Sequence, residues 1–448
     1  MTVAQDPTAV QWPAWEDAAF YNQDPAAMYA AIAAQRRAAP VHFYDPPGYL
    51  SGFWVLSRWE DQRFVGSHPE LFRSRDGFAI GDASDPATVM DQLPPWAKDA
   101  LAQPGVTPRE ARHLVARGKL SMGDPAFESL ILADPPRHGL IRDILMKALK
   151  PSLVRSLKPR IAALADEMIA EIEPGAVTDF VTTVGQIPAA LMTELIGVPR
   201  DMRDRFIEMA SAQMQAITID PDRSPEEAAR IRGLIGEFHA YCHELLAERR
   251  ASGGDGDDLA SIIARSEHDG GPIPDGMAIS FIHTFVNAGE TTRALLSFIA
   301  EALTEHPDQR RMLVAQPELV ANAVHETLRY YPLNFTGCRT ATQDVEIGGQ
   351  RIKQDDYVVM AYVSANRDEE VWERPDEFDV TRSFENAHQS FGHGEHSCPG
   401  ALLARTDSAI IIERLLARFP TWEPAGPAVR WASPFLQGMT TLPLRFGV

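Results

Sequence analysis

A cysteine lies between a segment rich in glycine and histidine and a segment with helical spacing. The sequence FGHGEHSCPGALLAR places Cys398 directly before PGALLARTDSAIIIERLLARF, in which apolar residues recur at helical spacing. Proline is tolerated in the first turn of a helix, so Pro399 predicts a helix start. The positive end of a helix dipole favours a thiolate over a thiol, so Cys398 is predicted to act as an anionic sulfur.

A second candidate site lies in the stretch NAGETTR, inside a long apolar run. Asn287, Glu290 and Thr291 share one face of a helix, and His283 extends that face by one turn. Polar groups in a buried helix are costly unless they are satisfied, and Gly289 adds about 1 kcal/mol of helix penalty. The pattern indicates either a helix kink with polar groups bonded to backbone carbonyls, or a groove that handles protons against a bound cofactor.

Three weaker motifs carry charged groups. In HETLRYYP, Glu326 and Arg329 lie one helical turn apart, a spacing that contributes a few tenths of a kcal/mol when exposed. In DPPRHGLIR, His138 and Arg142 lie four residues apart on a helix that follows two prolines, and Arg339 in GCRTA leads into a strand. Each of these motifs alone is compatible with an ordinary protein surface.

Helical patterns dominate the chain that must position these residues. Amphipathic helices are predicted over 25–38, 160–173, 226–250 and 317–330, with the longest from about 274 to 305. Strands are predicted near 49–57, between 345 and 365, and in the final segment TTLPLRF. The stretch 77–133 is weakly patterned and punctuated by Asp, Pro and Gly, which predicts a loop, and a loop of that length is typically a lid or poorly ordered. The predicted fold is mostly α with a smaller β part, in one large unit.

Composition narrows the class of protein. The 448-residue chain is 45% hydrophobic, which is ample for a large core, and its formal charge of −20 disfavours nucleic acid and anionic membranes as partners. Its three cysteines form no CxxC pair, which argues against a disulfide scaffold or structural zinc finger. With neither a signal-like start nor an uncharged apolar run of about 18 residues, the sequence predicts a cytoplasmic protein without membrane insertion.

The cysteine loop resembles that of the cytochrome P-450 family, the haem-thiolate monooxygenases, in their soluble bacterial form. The family pattern Phe-x-x-Gly-x-x-x-Cys-x-Gly is filled by Phe391, Gly394, Cys398 and Gly400. The resemblance runs in order from about residue 25 to the end. It implies a single cytochrome P-450 domain over 1–448, with an N-terminal extension over about 1–24 and a lid and substrate-access region over about 77–133.

The other motifs match the same family. Glu290 and Thr291 match its oxygen-activation motif, and Glu326 and Arg329 match its Glu-x-x-Arg motif. The segment ANRDEEVWERPDEFDVTR resembles its meander region, which makes Arg382 the expected partner of the Glu326–Arg329 pair. These last three residues are then expected to support the fold behind the haem.

The resemblance implies roles for individual residues. Cys398 would be the axial ligand of the haem iron, and Phe391 would shield the sulfur from solvent. Gly400 and Ala288 would lie against the haem. Four basic residues would pair the haem propionates, since cationic hydrogen bonds to carboxylates are strong: His138, Arg142, Arg339 and His396.

Four positions depart from the family pattern. Asn287 stands where a small residue is usual, and Ala288 stands where glycine is usual. Glu395 puts an acid beside His396, and Arg137 occupies a site that is often acidic in relatives. These departures affect the fine control of oxygen and haem binding, and they remove no required group.

The implied activity is insertion of one oxygen atom from O2 into a C–H bond, or an O- or N-dealkylation. The implied cofactor is haem b, with electrons from NAD(P)H through a reductase and a ferredoxin-type partner. A peroxide-dependent haem-thiolate oxygenase is the alternative, and the Glu290–Thr291 pair favours the O2-dependent route.

Alternatives from other classes rest on the same loop. His393, His396 and Cys398 form an H-x-x-H-x-C pattern that would suit zinc, and a cysteine near a histidine would suit nucleophilic catalysis. A haem protein without catalytic activity is a further alternative. Neither a zinc site nor a nucleophilic pair explains the polar stripe of the long helix.

The resemblance also indicates the substrate and the electron donor. A medium-sized hydrophobic molecule with at least one polar atom is expected, in a pocket lined by His283, Val286, Asn287, Phe335, Thr336, Leu436 and Gln437. The alternative is that His283 and Asn287 bond only each other or water. The segment 142–160 carries six basic residues and one acid in an acidic chain. Such a local reversal of charge is typical of a binding face. An acidic ferredoxin is therefore predicted to dock through Lys147, Lys150, Arg155 or Lys158.

Overall fold

The helices form the bulk of the protein. The computed structural model describes residues 12–90, 93–121, 128–217, 224–268 and 270–447. Its α-helices within those ranges are α1 Ala18–Tyr21, α2 Pro25–Ala38, α3 Trp59–Ser67, α4 Pro86–Val89, α5 Pro95–Leu101, α6 Pro108–Ser121, α7 Arg137–Ala148, α8 Pro151–Ile169, α9 Ile187–Ile196, α10 Arg203–Ile217, α11 Pro225–Ala251, α12 Leu259–Ala264, α13 Asp275–Glu305, α14 Pro307–Ala315, α15 Val320–Tyr330, α16 Tyr362–Ala365 and α17 Ala401–Arg418. The prediction of a mostly α fold is confirmed.

The strands form small sheets beside the helices. They are β1 Val41–Tyr44, β2 Phe53–Leu56, β3 Phe72–Arg73, β4 Val177–Asp179, β5 Glu267–His268, β6 Gly271–Pro272, β7 Thr336–Ala341, β8 Val345–Ile347, β9 Gln350–Ile352, β10 Tyr357–Ala361, β11 Trp422–Pro424, β12 Val429–Ala432, β13 Gln437–Thr441 and β14 Pro443–Phe446. The largest sheet has the order β1-β2-β10-β7-β3, with β10 parallel to β2 and antiparallel to β7. Arg339 lies on its buried strand β7.

Helix α13 runs through the centre of the core. Most of its side chains are buried, and it packs against α9, α10, α15 and α17. Gly289 lies where α13 crosses α9, and a Cβ added to it would meet the Cα of Ala189 at 3.0 Å. The helix is unbroken through this residue. The missing side chain therefore permits close helix packing, and the predicted weakness of this turn does not interrupt the helix.

The stretch 77–133 contains more regular structure than predicted. Helices α4, α5 and α6 lie within it, and the interpretation as a patternless loop is wrong. Each of the three helices begins with a proline, at Pro86, Pro95 and Pro108. Proline suits the first position of a helix, where its missing N–H is not needed. The prolines that were interpreted as loop residues therefore begin helices. Residues 91–92 and 122–127 of this stretch lie outside the described residues.

Other boundaries shift by smaller amounts. Helix 25–38 has its predicted limits, whereas the helix predicted over 160–173 spans Pro151–Ile169 and contains Pro159. The strand predicted up to 365 ends at Ala361, where the short helix α16 begins. In the described part of the chain, no helix is long and apolar enough to cross a membrane.

Candidate functional site

Cys398 lies at the end of a tight loop, directly before a helix. Its backbone N–H donates to the carbonyl of Phe391 at 2.8 Å, which closes the loop on itself. Helix α17 begins at Ala401 with Gly400 at its N-cap, so Pro399 lies in the preceding turn and the predicted helix start is two residues too early. The Cys398 residue is exposed, whereas Cys242 and Cys338 are buried.

Two glycines fix the position of this loop against helix α3. Gly394 has a φ of +72°, a conformation that side-chain-bearing residues rarely adopt. A Cβ on Gly394 would lie 1.8 Å from the carbonyl oxygen of Gly66, and a Cβ on Gly66 would lie 2.9 Å from the carbonyl oxygen of His393. The two backbones therefore touch at a point that admits no side chain from either.

The cavity beside Cys398 is largely apolar. It lies between α7, α13 and α17, and it is lined by both Cys398 and the turn of α13 that contains Ala288 and Thr291. The Cys398 thiol is open to this cavity but lies deep within the fold, and that burial raises its pKa, while the N–H groups of Gly400 and Ala401 and the charge of Arg142 act in the opposite direction. The helix end alone therefore does not make the thiolate the stable form. A bound metal ion would make the thiolate the stable form, because a thiol that coordinates a metal is deprotonated outright.

Four basic side chains from three parts of the fold meet near this loop. His138 and Arg142 come from α7, Arg339 from β7, and His396 from the loop itself. The His138 and His396 rings are 4.2 Å apart between centroids. Arg142 donates to the carbonyl of Ser397 at 2.8 Å. Burial and the three other basic groups lower the pKa of His396 to about 2.

This basic cluster is suited to an anionic ligand. His138 is fully buried, and among the described residues its Nε2 has no hydrogen-bond partner, while its Nδ1 has only the Glu395 carboxylate at 3.3 Å, without good hydrogen-bond direction. Buried polar groups are normally hydrogen-bonded, so the open Nε2 indicates a missing partner. Carboxylates would satisfy the cluster and offset the repulsion among its positive charges.

Thr291 is bonded within its own helix and also lines the cavity beside Cys398. Its hydroxyl donates to the carbonyls of Asn287 at 3.1 Å and Ala288 at 3.3 Å. Thr292 donates to Ala288 in the same way at 2.8 Å. The two threonines therefore fit the first of the two interpretations of this helix, in which polar side chains bond to backbone carbonyls. The kink that this interpretation included is absent, because α13 is continuous.

Glu290 points to a second, more polar cavity. Its carboxylate accepts from the hydroxyl of Ser211 on α10 at 3.0 Å and forms an ion pair with Arg293 one turn along α13. These three residues and Thr291 line a cavity of about 710 Å³ that extends to the C-terminal strands. Thr291 thus lies between the polar cavity and the cavity beside Cys398.

His283 and Asn287 are bonded to each other. The Nδ2 of Asn287 lies 3.2 Å from the Nε2 of His283. Burial lowers the pKa of His283 to about 3, so its ring is neutral at neutral pH and accepts from the amide. The Oδ1 of Asn287 is buried and has no hydrogen-bond partner in the part of the chain that the structure describes, and Asn287 lines the cavity beside Cys398. Val286, one residue earlier, is buried in the main core.

The remaining predicted pocket residues divide into two groups. Leu436 and Gln437 line the polar cavity, where the Gln437 amide donates to the carbonyl of Pro332 at 2.8 Å. The ring of Phe335 stacks on Tyr21, and the hydroxyl of Thr336 donates to the carbonyl of Pro434 at 2.7 Å. These contacts hold Phe335 and Thr336 in the core beside the main sheet, and their contact with a substrate stays a prediction.

The Glu326–Arg329 pair is completely buried and joined by Arg382. Arg329 donates two hydrogen bonds of 2.8 Å to Glu326, and Arg382 donates to the same carboxylate at 3.1 Å. Arg329 also donates to the carbonyls of Asn366, Pro375 and Glu377. The three side chains therefore join α15 to the segment that precedes the cysteine loop.

The predicted docking residues are all exposed. Lys147 lies on α7, Lys150 is the N-cap of α8, and Arg155 and Lys158 lie on α8. Helix α7 is joined to the cysteine loop through Arg142, and α8 packs against α17. This basic surface therefore lies on the side of the molecule that carries Cys398.

The zinc alternative has no geometric support. The ring of His396 contacts the hydroxyl of Ser74 at 3.0 Å, and that of His393 contacts the hydroxyl of Ser67 at 3.0 Å. Within the described ranges, no group of three or more His, Cys, Asp or Glu is placed to hold a metal ion.

Sequence reasoning missed four contacts of the site. Ser211 and Arg293 hold Glu290, and Glu395 faces His138. Asp407 is a buried acid on α17 that lines the cavity, and burial raises its pKa. Asp407 could have been found from the sequence, because it is an acid on the apolar face of a helix. The partners of Glu290 and His138 could not, because they depend on tertiary structure.

Comparisons with known proteins agree with this geometry. A sequence model of the family "Cytochrome P450" matches residues 282–429, which include α13 from its residue 282 onward and the cysteine loop. The chain is 32% identical to "Linalool 8-monooxygenase" of Pseudomonas putida, over 94% of this chain and 96% of the relative. It is 32% identical to a "Cytochrome P450" of Bacillus subtilis, over 89% of each chain. The crystal structure of CYP108D1 from Novosphingobium aromaticivorans matches with a TM-score of 0.76 and 25% identity, over 96% of this chain and 95% of that chain.

The residues of the cavity fit the haem that this family carries. An exposed thiol faces an apolar space, and an unsatisfied histidine nitrogen in a basic cluster lies beside it, where a ligand with two carboxylates requires partners. Because the sequence likeness also spans nearly the whole chain, the protein belongs to the cytochrome P450 family of haem-dependent monooxygenases.

Proposed function

We propose that this enzyme uses O2 to oxidise a medium-sized hydrophobic organic molecule, with Cys398 as the thiolate ligand of the haem iron. The observation that carries the proposal is that Cys398 and the Ala288–Thr291 turn of α13 line the same cavity. When bound, the haem supplies an iron that activates O2, and thiolate ligation favours cleavage of the O–O bond. The products expected are a hydroxylated molecule or the fragments of an O- or N-dealkylation.

The cysteine loop would hold and shield the cofactor. The N–H groups of Gly400 and Ala401 favour a negative charge on the sulfur, and Phe391 lines the cavity beside it. The basic cluster would bind the two haem carboxylates through charge-assisted hydrogen bonds. The leucines of α7, α13 and α17 that line the cavity would keep bulk water away.

Glu290 and Thr291 would move protons from the polar cavity to the oxygen site. Glu290 lines the polar cavity, and Thr291 lines both cavities. Water in the polar cavity would pass a proton to the Glu290 carboxylate, and the Thr291 hydroxyl is the next polar group toward Cys398. Protons supplied in this way are needed by an enzyme that starts from O2, and they distinguish it from a peroxide user.

Asn287 supports a substrate that carries a hydrogen-bond donor. Its Oδ1 is a buried acceptor without a partner, beside walls formed by Phe285, Leu295 and Leu333. A site built to bond a hydroxyl discriminates strongly against the analogue that lacks it. One relative is named for linalool, a terpene alcohol with this combination of an apolar body and one hydroxyl. We therefore propose substrates of that chemical class.

The test of the iron ligand is spectroscopic. The reduced, carbon-monoxide-treated protein is expected to show the strongly red-shifted Soret band of thiolate-ligated haem. Cys398→Ser is expected to abolish this band, whereas Cys242→Ser, at a buried cysteine, should keep it. A red-shifted band that survives in Cys398→Ser would overturn the assignment.

The test of the oxidant compares two routes to product. Terpene alcohols and their deoxy hydrocarbons are screened for substrate-induced spectral shifts, and the tightest binder is then incubated by each route. Product is expected with NAD(P)H, a reductase and a ferredoxin, and little is expected with hydrogen peroxide alone. Efficient product formation from peroxide, without product from the electron-transfer route, would establish the peroxide-dependent alternative instead.

The electron donor is proposed to be an acidic ferredoxin that docks on the exposed basic surface of α7 and α8. Opposite charges raise the rate of encounter, and salt screens this effect. Reversing Lys147 and Lys150 to Glu is expected to slow reduction and flatten its salt dependence, whereas Arg351→Glu on the distant β9 should not. Unchanged reduction kinetics in the double variant would contradict the docking proposal.

The three unpaired cysteines support a reducing compartment, and we propose the cytoplasm.

A further inference from the structure

Glu395 brings a carboxylate to the basic cluster beside the cysteine loop. Its Oε1 lies 3.3 Å from the Nδ1 of His138, and its side chain is 28% exposed. The side chain of His138 is fully buried. A partly exposed acid of the loop thus reaches a buried histidine of α7, although the cluster as a whole is suited to the carboxylates of a ligand.

The two histidines of the cluster are held in different ways. The Nε2 of His396 contacts the hydroxyl of Ser74 at 3.0 Å. Within the described ranges, His138 has no hydroxyl partner, and Glu395 approaches its Nδ1. Burial lowers the pKa of His138, and the neighbouring Glu395 opposes that effect by favouring the protonated ring. Glu395 therefore contributes both orientation and charge to His138.

We propose that Glu395 is a positioning residue for haem retention, which orients His138 so that its Nε2 points to a haem carboxylate. In this arrangement the His138 ring would be protonated, because its Nδ1 would donate to the Glu395 carboxylate and its Nε2 to a haem carboxylate. The Glu395 carboxylate favours this charged form of the ring and fixes its orientation. The inference rests on the proposed binding of the haem carboxylates by the basic cluster.

The same contact joins the loop of Cys398 to helix α7. Arg142, one turn after His138 on α7, already donates to the carbonyl of Ser397. Glu395 adds a second link between these two elements, from three residues before Cys398. Loss of the Glu395 carboxylate is therefore expected to weaken haem retention while the thiolate ligand stays in place.

Haem dissociation from the holoprotein measures this effect without reference to activity. The haem-loaded protein is mixed with excess apomyoglobin, and the transfer of haem is followed by absorbance. Glu395→Gln is expected to release haem about tenfold faster, which is the factor that corresponds to the loss of one charge-assisted hydrogen bond. Glu395→Asp keeps the negative charge and is expected to stay within about threefold of the parent rate.

Matched variants separate this role from general effects of charge. Glu128→Gln removes a carboxylate that pairs with Arg137, the neighbour of His138, and should leave the rate unchanged. In a His138→Asn background, which is itself expected to release haem faster, Glu395→Gln should add no further acceleration. The red-shifted carbon-monoxide band should remain in every variant.

Two results would overturn the inference. One is a parent-like rate of haem release in Glu395→Gln, and the other is equal acceleration by Glu395→Asp and Glu395→Gln. A parent-like rate in His138→Asn would instead contradict the proposed role of the cluster in binding haem carboxylates. If Glu395→Gln does not load haem, the rates of haem release from Glu395→Asp and Glu128→Gln are compared instead. A tenfold faster release from Glu395→Asp would show that a carboxylate at position 395 does not retain haem, and the inference would be wrong.

Discussion

Two Glu–Arg pairs with the same spacing lie on two buried helices of this protein. Glu326 and Arg329 lie on α15, and Glu290 and Arg293 lie on α13. In each pair the acid precedes the arginine by three residues, a spacing that brings the side chains together on one face of a helix. By spacing alone the two pairs are equivalent.

Their surroundings differ completely. Both side chains of the α15 pair are 0% exposed, and Arg382 with three backbone carbonyls completes their hydrogen bonds. The α13 pair is 6% and 25% exposed and borders a polar cavity, with Ser211 as a further partner. Spacing therefore determines which side chains meet. Burial and the other hydrogen-bond partners determine whether a pair only supports the fold or is accessible to solvent and able to take part in the reaction.

The largest effect is expected from Arg329→Ala. It leaves the Glu326 carboxylate buried and short of a partner, and breaking a buried pair in this way costs about 3–5 kcal/mol. Chemical denaturation should show this loss of unfolding free energy, together with poor haem loading. Arg205→Ala removes an exposed arginine from a pair of the same spacing on α10 and should change stability far less. Equal losses in the two variants would mean that burial does not distinguish the pairs.

Thr291→Ala tests the chemistry beside the α13 pair. The variant should keep the fold, the haem and the thiolate spectrum, because the Thr291 hydroxyl bonds to carbonyls that are already used by the helix. Without this hydroxyl, protons are delivered poorly, so O2 and NAD(P)H should be consumed while hydrogen peroxide is released in place of most of the product. Product and peroxide are measured per electron consumed. Full coupling would place the relay elsewhere, with Asn287 as the next candidate.

Glu290→Gln sharpens the contrast with the α15 pair. The amide keeps the size of the side chain and loses its ability to carry a proton, so turnover should fall by about tenfold to a hundredfold. Stability should change much less than in Arg329→Ala, because the α13 pair borders a cavity and its arginine is partly exposed. Oxygen uptake in water and in heavy water provides the measurement, with a larger solvent isotope effect expected in the variant. Turnover equal to that of the parent would remove Glu290 from the proton route.

The smallest effect is expected from Arg293→Gln. Glu290 keeps its charge and its bond to Ser211, but it loses the ion pair that holds its second oxygen. Turnover is expected to fall about threefold. The loss of stability should be much smaller than in Arg329→Ala, because Arg293 is 25% exposed and Glu290 keeps its bond to Ser211 beside the polar cavity. Denaturation and steady-state kinetics on one preparation measure both quantities. A loss of several kcal/mol would make this pair structural as well, and the comparison would fail.

The sequence predicted the parts of the protein in which local pattern and tertiary structure agree. Helix 25–38 has its predicted limits because its apolar spacing and the proline at its start indicate the same element. The cysteine loop was identified from a pattern within one segment, as was the contact between Glu326 and Arg329. For such features the relevant neighbours lie within about one turn along the chain.

The rest depended on neighbours that are distant in sequence. Gly289 was interpreted as a weak turn, whereas it serves the crossing of α13 with Ala189 of α9. The partner of Glu290 on α10 is 79 residues away, and no local pattern marks it. Prolines between 77 and 133 were interpreted as breaks because their role as helix starts depends on the residues that follow.

The contact between Gly394 and Gly66 has a consequence for how the chain acquires its cofactor. Because neither backbone tolerates a side chain at that point, the cysteine loop can take its final position against helix α3 only if both residues are glycine. A segment from the first part of the chain and one from near its end must therefore meet for the loop of Cys398 to reach this position. Such a contact between distant segments is formed late and slowly, so haem would load after the polypeptide has been completed rather than during its synthesis. Any variant library directed at this loop would have to leave both glycines unchanged to produce a coloured protein.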